Sequence, residues 1–568
     1  MPKLRDVQTA FTAGELDPRL AARIDVARYY SGGERVRNML VRGLGGARRR
    51  PGLRHVYTLP SGTAGIRLVP FAFNVEQTYL VAFTSNEIVI FLPDGTEVAQ
   101  LATPYSAAQV GQIKWTQSAD TLLLFHPQVQ PQRLRRLGSH TSWQLSPITF
   151  SNIPTFDFGS GPEPVISATR GWPECGTFYQ GRLYLGGLRS RPATLLASRV
   201  GDFFNLNKGT ALDDDALDLT LDTNQVNAIW HLPVTRSLHV FTSGAEHVLA
   251  GDGVITPKTA RFDEQTRRGT LRHVPIAEID GALLFVQRGG KAVRQHLYDE
   301  VEGAFSNTLL SLLSEHLIRD PVDLAARKGG SADADDYLLV VNGDGTVAVL
   351  TTLRAQEVVA WALWQTDGAV RRVAVLDSGE VFFAVERGGS MRLEQWDESL
   401  YVDAGVRMIT GLPATIVAGL GHLEGRDVAV RIDGATHPPR RVINGEIGLE
   451  RPAQSEVQVG LPFEVVLRTM PAEPAPKGGL PAIAGLARIP RVTVRVHESA
   501  PFLLNGRQIT MRRFADAPAS PLDAPPPVLS GDFRLSGFTG WQRRAQIELR
   551  QAEPQPLAVL ALAYDIVW

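Results

Sequence analysis

The sequence contains a single cysteine, Cys175, among its 568 residues. One thiol excludes a disulfide within the chain and any metal site built from several thiolates. Nothing beside Cys175 is typical of a catalytic nucleophile. We therefore expect a protein that folds in a reducing cytoplasm and uses no thiol chemistry.

Long hydrophobic runs are also missing. The most apolar tail, residues 556–568, is too short to cross a bilayer and contains Asp565. The first residues lack the apolar core of a signal peptide. We expect no stable membrane insertion and no export by the usual route.

Several catalytic motifs are absent as well. The sequence has no Gly-x-x-x-x-Gly-Lys-Ser/Thr loop for phosphates, no His-Glu-x-x-His zinc motif and no Gly-x-Ser-x-Gly nucleophile elbow. We therefore predict a protein that is not an enzyme and binds no cofactor. A pair of carboxylates for glycoside hydrolysis leaves no local signature, so an enzyme or lectin acting on host glycans stays an alternative.

What the sequence has in abundance is turn residues. Its 53 glycines and 37 prolines suit many short strands joined by tight turns, and 44% hydrophobic residues are enough for folded cores. The length predicts two to four domains. An all-β architecture follows more naturally than an α/β one.

Residues 66–398 repeat one small unit of short apolar runs separated by turns. In residues 365–396, three runs are separated by Asp377-Ser378-Gly379 and Gly388-Gly389, which supply the positive φ of hairpins. The same pattern recurs in residues 79–92 and 336–352. Repeated meanders of this kind predict the blades of a β-propeller, of which we count six or seven.

The predicted fold is mainly β, with a multi-bladed propeller-like core, an N-terminal arm and one or more small C-terminal β domains. The arm comprises residues 1–65. It is expected to carry two short helices, at 19–30 and 33–41, followed by a basic Gly-rich connector at 43–52. The core spans residues 66–400, with one helix near 306–318 that has a Ser306 or Asn307 cap. Residues 401–568 complete the chain and include Pro-rich loops at 471–490 and 517–527, which we expect neighbouring subunits to hold in an assembly.

Positive charge is concentrated near the N-terminus. The formal net charge of the chain is −1, but Lys3 and eleven arginines against five acidic residues give residues 1–56 a charge of +7. Arg48, Arg49, Arg50 and Arg54 are the candidates for contact with a DNA channel or for docking on another ring. Arginines can neutralise phosphates without reading sequence. Ion pairing between subunits, or simple solvation, is the alternative.

Two further clusters allow a metal interpretation that we do not favour. His231, His239 and His247 recur at intervals of eight, but zinc would require them to converge with a fourth ligand, and ordinary half-buried or surface histidines are preferred. An acidic run lacks the order and the turn glycine of a calcium loop, so a solvated loop is preferred. The run consists of Asp213, Asp214, Asp215, Asp218 and Asp222.

The N-terminal segment resembles the opening of a large group of bacteriophage tail proteins. In that group a Gly-Glu-Leu-x-Pro start leads to a Gly-Gly-x-x-Arg-Arg-Pro-Gly end. Further matches are QSADT at 117–121, QGRL at 180–183, SRVGDFFN at 198–205, FVQRGG at 285–290 and GHLEG at 421–425. The order of these motifs over nearly the whole chain is similar to the tail-nozzle family, also called tail tubular protein B. The arm motif matches at Gly14, Glu15, Leu16, Pro18, Gly45, Gly46, Arg49, Arg50, Pro51 and Gly52.

The resemblance implies a structural virion protein that forms a ring, usually hexameric, in the phage tail. Such a ring extends the DNA channel, retains packaged DNA and conducts it on ejection. Implied partners are further copies of the chain, the portal and adaptor ring, other tail proteins, tail fibres or spikes, and packaged double-stranded DNA contacted without sequence preference. The implied location is the virion tail, assembled in the bacterial cytoplasm. A tail-tip or baseplate hub of a long-tailed phage is the alternative within the same class.

Overall fold

The computed structural model describes residues 3–21, 23–60, 65–222, 227–251, 253–330, 335–473, 485–512 and 525–567. The chain is mainly β, as predicted. Most of both Pro-rich loops, residues 474–484 and 513–524, lies outside the described residues. No described helix is long and apolar enough to span a membrane.

Seven four-stranded antiparallel units form the blades of a propeller within the described residues, and each starts with its innermost strand. Five of these units are separate sheets, and the other two are parts of larger sheets. Blades 1 to 4 are Arg67–Ala72, Thr78–Thr84, Glu87–Phe91, Glu97–Ala102; Lys114–Ser118, Thr121–His126, Val129–Arg136, Trp143–Pro147; Cys175–Tyr179, Arg182–Gly186, Thr194–Ala197, Leu217–Thr220; and Ile229–His231, Leu238–Thr242, Glu246–Ala250, Arg261–Thr266. Blades 5 to 7 are Ala277–Ile279, Ala282–Val286, Val293–Asp299, Ala304–Leu309; Asp323–Arg327, Asp336–Val341, Val347–Leu353, Val358–Trp364; and Ala369–Val375, Val381–Arg387, Ser390–Asp397, Gly52–Thr58.

The ring of blades closes through a strand from the other end of the sequence. Gly52–Thr58 pairs antiparallel with Ser390–Asp397 and so becomes the outermost strand of blade 7. The innermost strand of blade 7 packs against those of blades 1 and 6. Residues 1–65 are therefore not a separate arm, because their last strand is part of the propeller.

The hydrophobic cores lie between neighbouring blades. In Thr78–Thr84 every residue is buried. Leu80 and Ala82 join the core shared with blade 7, whereas Tyr79 and Val81 join the core shared with blade 2. Successive side chains of a strand point to opposite faces, so each blade needs both neighbours to bury its surface.

The predicted meanders are confirmed. The three runs of residues 365–396 are the first three strands of blade 7, and their turn glycines, Gly379, Gly388 and Gly389, have φ values of 98°, 57° and 80°. Residues 79–92 and 336–352 each hold the expected hairpin.

The C-terminal part contains two β units that continue from the outer edges of the propeller. A small unit extends from blade 7. The outermost strand of that blade, Gly52–Thr58, also pairs parallel with Asp403–Ile409, the first strand of the small unit. The core of the small unit takes every second residue of a strand, such as Val428, Val430 and Ile432, and is therefore built from one face of the sheet. The strands of this unit are Asp403–Ile409, Glu456–Leu461, Asp427–Ile432 and Ala435–Arg441, with the pair Ala414–Val417 and Ile447–Ala453 beside them.

The second unit is a sandwich of two sheets with one shared core. One sheet extends blade 6 beyond Val358–Trp364 with Gly14–Glu15, Gly32–Arg37, Val465–Thr469, Glu548–Gln551, Leu503–Leu504 and Arg507–Gln508. The other sheet contains Met39–Val41, Ala47–Arg49, Ala558–Val567, Arg488–Ser499, Leu529–Ser536 and Lys3–Gln8. Strands from both ends of the chain thus alternate within one unit, which we call the sandwich.

The remaining described elements are short. They are the pair Thr155–Asp157 and Pro162–Pro164, the helical turn Ala107–Val110, and the 3-10 turns Pro18–Leu20, Tyr29–Ser31, Glu315–Leu317, Arg354–Gln356 and Gly421–Leu423.

The helices predicted in the N-terminal segment are wrong. The described part of residues 19–30 holds only the 3-10 turns at its two ends, and residues 33–41 lie in or between the strands Gly32–Arg37 and Met39–Val41. Residues 43–52 are also more than the predicted connector, because Ala47–Arg49 is a strand of the sandwich and Ala47 lies in its core. Pairing with distant strands overrides the local helix propensity here.

The helix predicted near 306–318 is wrong as well. Ala304–Leu309 is the outermost strand of blade 5, paired with Val293–Asp299, and only Glu315–Leu317 forms a 3-10 turn. Leu310 and Leu317 pack into the core toward blade 6, while Leu312 is 65% exposed.

Candidate functional site

Arg50 lies in the interior, where propeller, small unit and sandwich meet. Its guanidinium donates to both carboxylate oxygens of Asp403, at 2.8 and 2.6 Å, and both side chains are 1% exposed. It also donates to Asn38 Oδ1 at 3.0 Å and lies 3.7 Å from the centre of the Phe463 ring. Arg50 therefore joins the three parts of the chain rather than facing a partner.

Arg49 is buried beside it without a carboxylate partner in the described contacts. Its guanidinium donates to the main-chain carbonyls of Tyr401, Phe463 and Glu553, at 3.0 to 3.2 Å. Burial, followed by repulsion from Arg50, lowers the pKa of Arg49 to about 9. The expectation that Arg49 and Arg50 contact DNA or another ring is wrong, because the interior of the chain uses their donors.

Arg48 and Arg54 are less buried, and both contact blade 7. Arg48 pairs with Glu398 at 2.8 Å, and its side chain is 29% exposed. Arg54 donates to the Asp94 carbonyl at 2.7 Å and to the side chain of Gln395. Contact of these two residues with DNA or a neighbouring ring stays a prediction.

The glycines of the arm motif stand where the main chain passes close to other strands. Gly14 has a φ of +65°, and a Cβ atom there would lie 2.2 Å from the Trp361 nitrogen. A Cβ on Gly52 would lie 2.2 Å from the Val402 carbonyl oxygen. Positive φ and close approach of two backbones each require glycine. Pro51, between Arg50 and Gly52, accepts a hydrogen bond from the Arg50 guanidinium at 2.9 Å.

Glu15 and Leu16 anchor the same motif. The buried Glu15 carboxylate accepts from the Val36 main chain at 2.8 Å and from His316 Nε2 at 3.0 Å, and it also pairs with Arg37. Leu16 is fully buried in a small core. Pro18 then begins a 3-10 turn that Asp17 caps. Of the predicted arm residues, Pro18 is exposed and the other five are buried within their own chain.

A second cluster lies at one end of the propeller channel, where the innermost strands begin. Arg67 and Lys114 are the first residues of the innermost strands of blades 1 and 2. Arg67 pairs with Asp323, the first residue of the innermost strand of blade 6. Lys114 pairs with Glu174, the residue before the innermost strand of blade 3. The strands joined by each pair therefore start at the same end of the channel. We call the group the channel cluster, and it consists of Arg67, Lys114, Glu174, Arg272, Asp323 and Arg372.

Ion pairs connect the channel cluster across blades. Glu174 accepts from Lys114 Nζ at 2.9 Å and from Arg272 Nη2 at 2.8 Å, and its side chain is 4% exposed. Although burial acts to raise it, Lys114 and Arg272 lower the pKa of Glu174 to about 2. Glu174 is therefore a fixed negative charge and not a proton donor near neutral pH.

The other half of the cluster joins blades 1, 6 and 7. Arg67 donates to Asp323 at 3.1 Å, and both side chains are almost fully buried. Arg372 donates to the carbonyls of Ile66 and Val322, each at 3.0 Å.

A cavity of about 290 Å³ adjoins the cluster. Burial lowers the pKa of His273 to about 4 and that of His231 well below its ordinary value, with Lys114 acting in the same direction. Burial raises the pKa of the Cys175 thiol to about 12. Both histidines are thus neutral near pH 7, and the thiol is unreactive. The lining includes Arg67, Lys114, Trp115, His231, His273 and Ile276.

The other two histidines of the series do not approach His231. On adjacent strands of blade 4, His239 pairs with Val248 and His247 with Val240, so the two imidazoles point to opposite faces of the sheet. Among the described residues no group of three His, Cys, Asp or Glu side chains could hold a metal ion.

The acidic run is partly solvated, as predicted, because Asp213, Asp214 and Asp222 are exposed. The other two aspartates are held by contacts within the chain. Asp215 is 3% exposed and accepts from the main chain of Leu212 at 2.9 Å. Asp218 pairs with Arg191 at 3.1 Å and Lys208 at 3.2 Å.

Sequence reasoning missed the channel cluster. Its members stand alone in the sequence, and four blades lie between Arg67 and its partner Asp323 along the chain. A usable signal exists, because Arg67, Lys114 and Asp323 each begin the first run of a repeated unit. Alignment of the units by their hairpins would have shown charge at that shared position.

No protein-family model and no curated protein matches this chain. Among solved structures it is similar to the WD40 domain of Neurospora crassa Pan2, at 8% identity over 59% of this chain and 89% of that one, with a TM-score of 0.34. A virginiamycin B lyase from Staphylococcus aureus matches at 11% identity over 60% and 97%, with a TM-score of 0.35. The WD40 β-propeller domain of Doa1 matches at 12% identity over 61% and 98%, also with a TM-score of 0.35.

Proposed function

We propose that the protein is a structural, non-enzymatic component of a bacteriophage tail. In this proposal identical copies form a nozzle ring that extends the DNA channel, retains packaged DNA and conducts it on ejection. The proposal begins from the ordered motifs shared with tail-nozzle proteins. The architecture adds support, because a propeller with attached small β units is what that resemblance implies.

One observation carries the proposal furthest. Three residues that match the family's opening motif lie at the joints between the parts of the chain. Gly14 lies against the outer strand of blade 6, Gly52 lies against the first strand of the small unit, and Arg50 reaches Asp403 between them. A ring that holds DNA under pressure needs subunits whose parts cannot move against each other, and these joints supply that rigidity.

The proposed partners follow from the same resemblance. They are further copies of the chain in a hexameric ring, the portal and adaptor ring, other tail proteins including fibres or spikes, and packaged DNA, all in a virion tail assembled in the bacterial cytoplasm. Since the arm residues are used within the chain, contacts between copies belong to other surfaces. Exposed apolar side chains such as Val301 at 97%, Leu412 at 81% and Ile409 at 71% are candidates.

Mass photometry and negative-stain electron microscopy of the purified full chain test the ring. We expect closed particles of several copies, formed alone or on addition of the adaptor ring of the same phage. A monomer at every concentration that also fails to bind that ring would contradict the proposal. Cross-linking within virions separates a nozzle, beside an adaptor, from the alternative of a baseplate hub, beside a tail tube.

A further inference from the structure

The cavity at the channel cluster has more positive than negative groups around it. Arg67 and Lys114 line the cavity, and Arg272 and Arg372 lie beside them in the channel cluster. Glu174 pairs with Lys114 and Arg272, Asp323 pairs with Arg67, and Arg372 donates only to main-chain carbonyls in the described contacts. The neighbouring imidazoles of His231 and His273 add no negative charge. Positive charge in a largely buried place attracts an anion strongly, because little water screens it.

Hydrogen-bond donors remain for such an anion. The buried Nε of Arg67 and Nδ1 of His273 have no hydrogen-bond partner among the described residues, and both side chains line the cavity. Lys114 uses two of its three N–H groups, toward Glu174 and the Trp230 carbonyl. Buried polar groups in proteins are nearly always satisfied, so acceptor oxygens are expected here.

Apolar side chains also line the cavity. They are Trp115, Leu232, Pro275 and Ile276, and the Trp115 ring lies 4.9 Å from the Arg67 guanidinium. A volume of about 290 Å³ is at the small end of ligand sites. A lining that combines cationic and apolar groups fits a small amphipathic anion better than an inorganic ion.

We propose that the channel cavity binds a small organic anion, with its carboxylate or phosphoryl oxygens at Arg67, Lys114 and His273 and its apolar body against Trp115 and Ile276. The site is independent of the ring proposed above. It needs only the propeller of one subunit.

Benzoate and phenyl phosphate serve as probes of the two anionic groups, and uncharged benzamide as the matched control. Calorimetry and Trp fluorescence of the full chain measure binding. We expect at least one anionic probe to bind about tenfold or more tighter than benzamide, since hydrogen bonds to charged groups are the stronger ones. Equal binding of benzamide, or no binding of either anion at millimolar concentration, would overturn the site.

Variants that keep the ion pairs of the channel cluster locate the binding. Ile276→Trp fills the cavity and His273→Phe removes a donor, and each is expected to weaken the better probe by about tenfold. Arg267→Gln, at a 73% exposed side chain in blade 4, is the matched control and is expected to bind as the unchanged chain does. Unaltered affinity in Ile276→Trp, with its fold verified by circular dichroism, would place the probe elsewhere and refute the proposal.

Discussion

The propeller and the sandwich are both built from antiparallel sheets, but they assemble in different ways. Six of the seven described blades take four strands from one continuous stretch, so their hairpins form between neighbours in sequence. The sandwich places Lys3–Gln8 beside Ala558–Val567 and Gly32–Arg37 beside Val465–Thr469. Contacts between distant segments require closure of long loops before they stabilise anything. We therefore expect the sandwich to depend on the N-terminal segment and the propeller to be largely independent of it.

Deleting residues 1–49 is the most severe test of this difference. The deletion removes every N-terminal strand of the sandwich but keeps Gly52–Thr58 to close blade 7. We expect the sandwich to lose its protection from limited proteolysis while the blades remain resistant. Shortening the exposed hairpin at 155–164 is the control and should leave both parts unaffected. Equal protection of the sandwich with and without residues 1–49 would contradict the comparison.

Two buried ion pairs allow a finer test, because one is local and the other is not. Arg387 and Glu394 lie seven residues apart within blade 7, whereas Arg50 and Asp403 join separate parts of the chain. Replacing either arginine by Ala leaves a buried carboxylate unpaired and should cost about 3–5 kcal/mol of unfolding free energy.

Hydrogen exchange distinguishes the two replacements. Arg50→Ala should raise exchange first in the small unit and the sandwich, and Arg387→Ala in blade 7. Arg48→Ala, at the partly exposed pair with Glu398, is the control and should cost about 0–1 kcal/mol. Loss of protection in the same segments for both buried pairs would show that the parts unfold together.

The same distinction explains what the sequence could predict. Hairpins are signalled by residues within a few positions, so the turns at Gly379 and Gly388 and the strands around them were predicted. The use of Gly14, Glu15 and Arg50 was not, because their partners Trp361, His316 and Asp403 are more than 300 residues away. The channel cluster was missed for a related reason, since its pairs join different blades.

The helix errors have the same origin. Residues 19–30 and 33–41 contain good helix formers, and nothing nearby shows that Val465–Thr469 offers Gly32–Arg37 a sheet edge. Ala304–Leu309 likewise becomes a strand because Val293–Asp299 needs a partner on its outer side.

Two glycine substitutions compare the N-terminal segment with a blade by their cost in unfolding free energy. Gly14→Ala would combine an unfavourable positive φ with a contact of 2.2 Å to the Trp361 main chain, and should cost about 3 kcal/mol. Gly379→Ala, at a φ of +98° with nothing within 4 Å, should cost about 1 kcal/mol through backbone strain alone. Urea denaturation measures both. Equal costs would mean that the close approach to blade 6 contributes nothing.

The propeller and the sandwich should also differ in how much stability they lose in acid, although this effect is smaller. The reason is that buried histidines are concentrated in the propeller. Burial lowers the pKa of His126 and of His296 to about 4 and that of His239 to about 3. A folded-state pKa below the unfolded value of about 6.5 stabilises the fold above pH 6.5, and this contribution is lost as the pH falls toward 4. We therefore expect the blades to lose stability between pH 6.5 and pH 4.

His296→Gln isolates one of these contributions. The side chain is 1% exposed and bonds to Asn307 at 2.8 Å, and glutamine keeps a polar partner there without taking up a proton. Between pH 7 and pH 5 the variant should lose about 1–2 kcal/mol less unfolding free energy than the unchanged chain, as measured by urea denaturation with hydrogen exchange in blade 5.

His497→Gln, on an exposed part of a sandwich strand, is the control and should leave that pH dependence unaltered. An identical loss in His296→Gln and in the unchanged chain would mean that the imidazole already takes up its proton in the folded blade, and the proposed difference between the regions in acid would lose its basis.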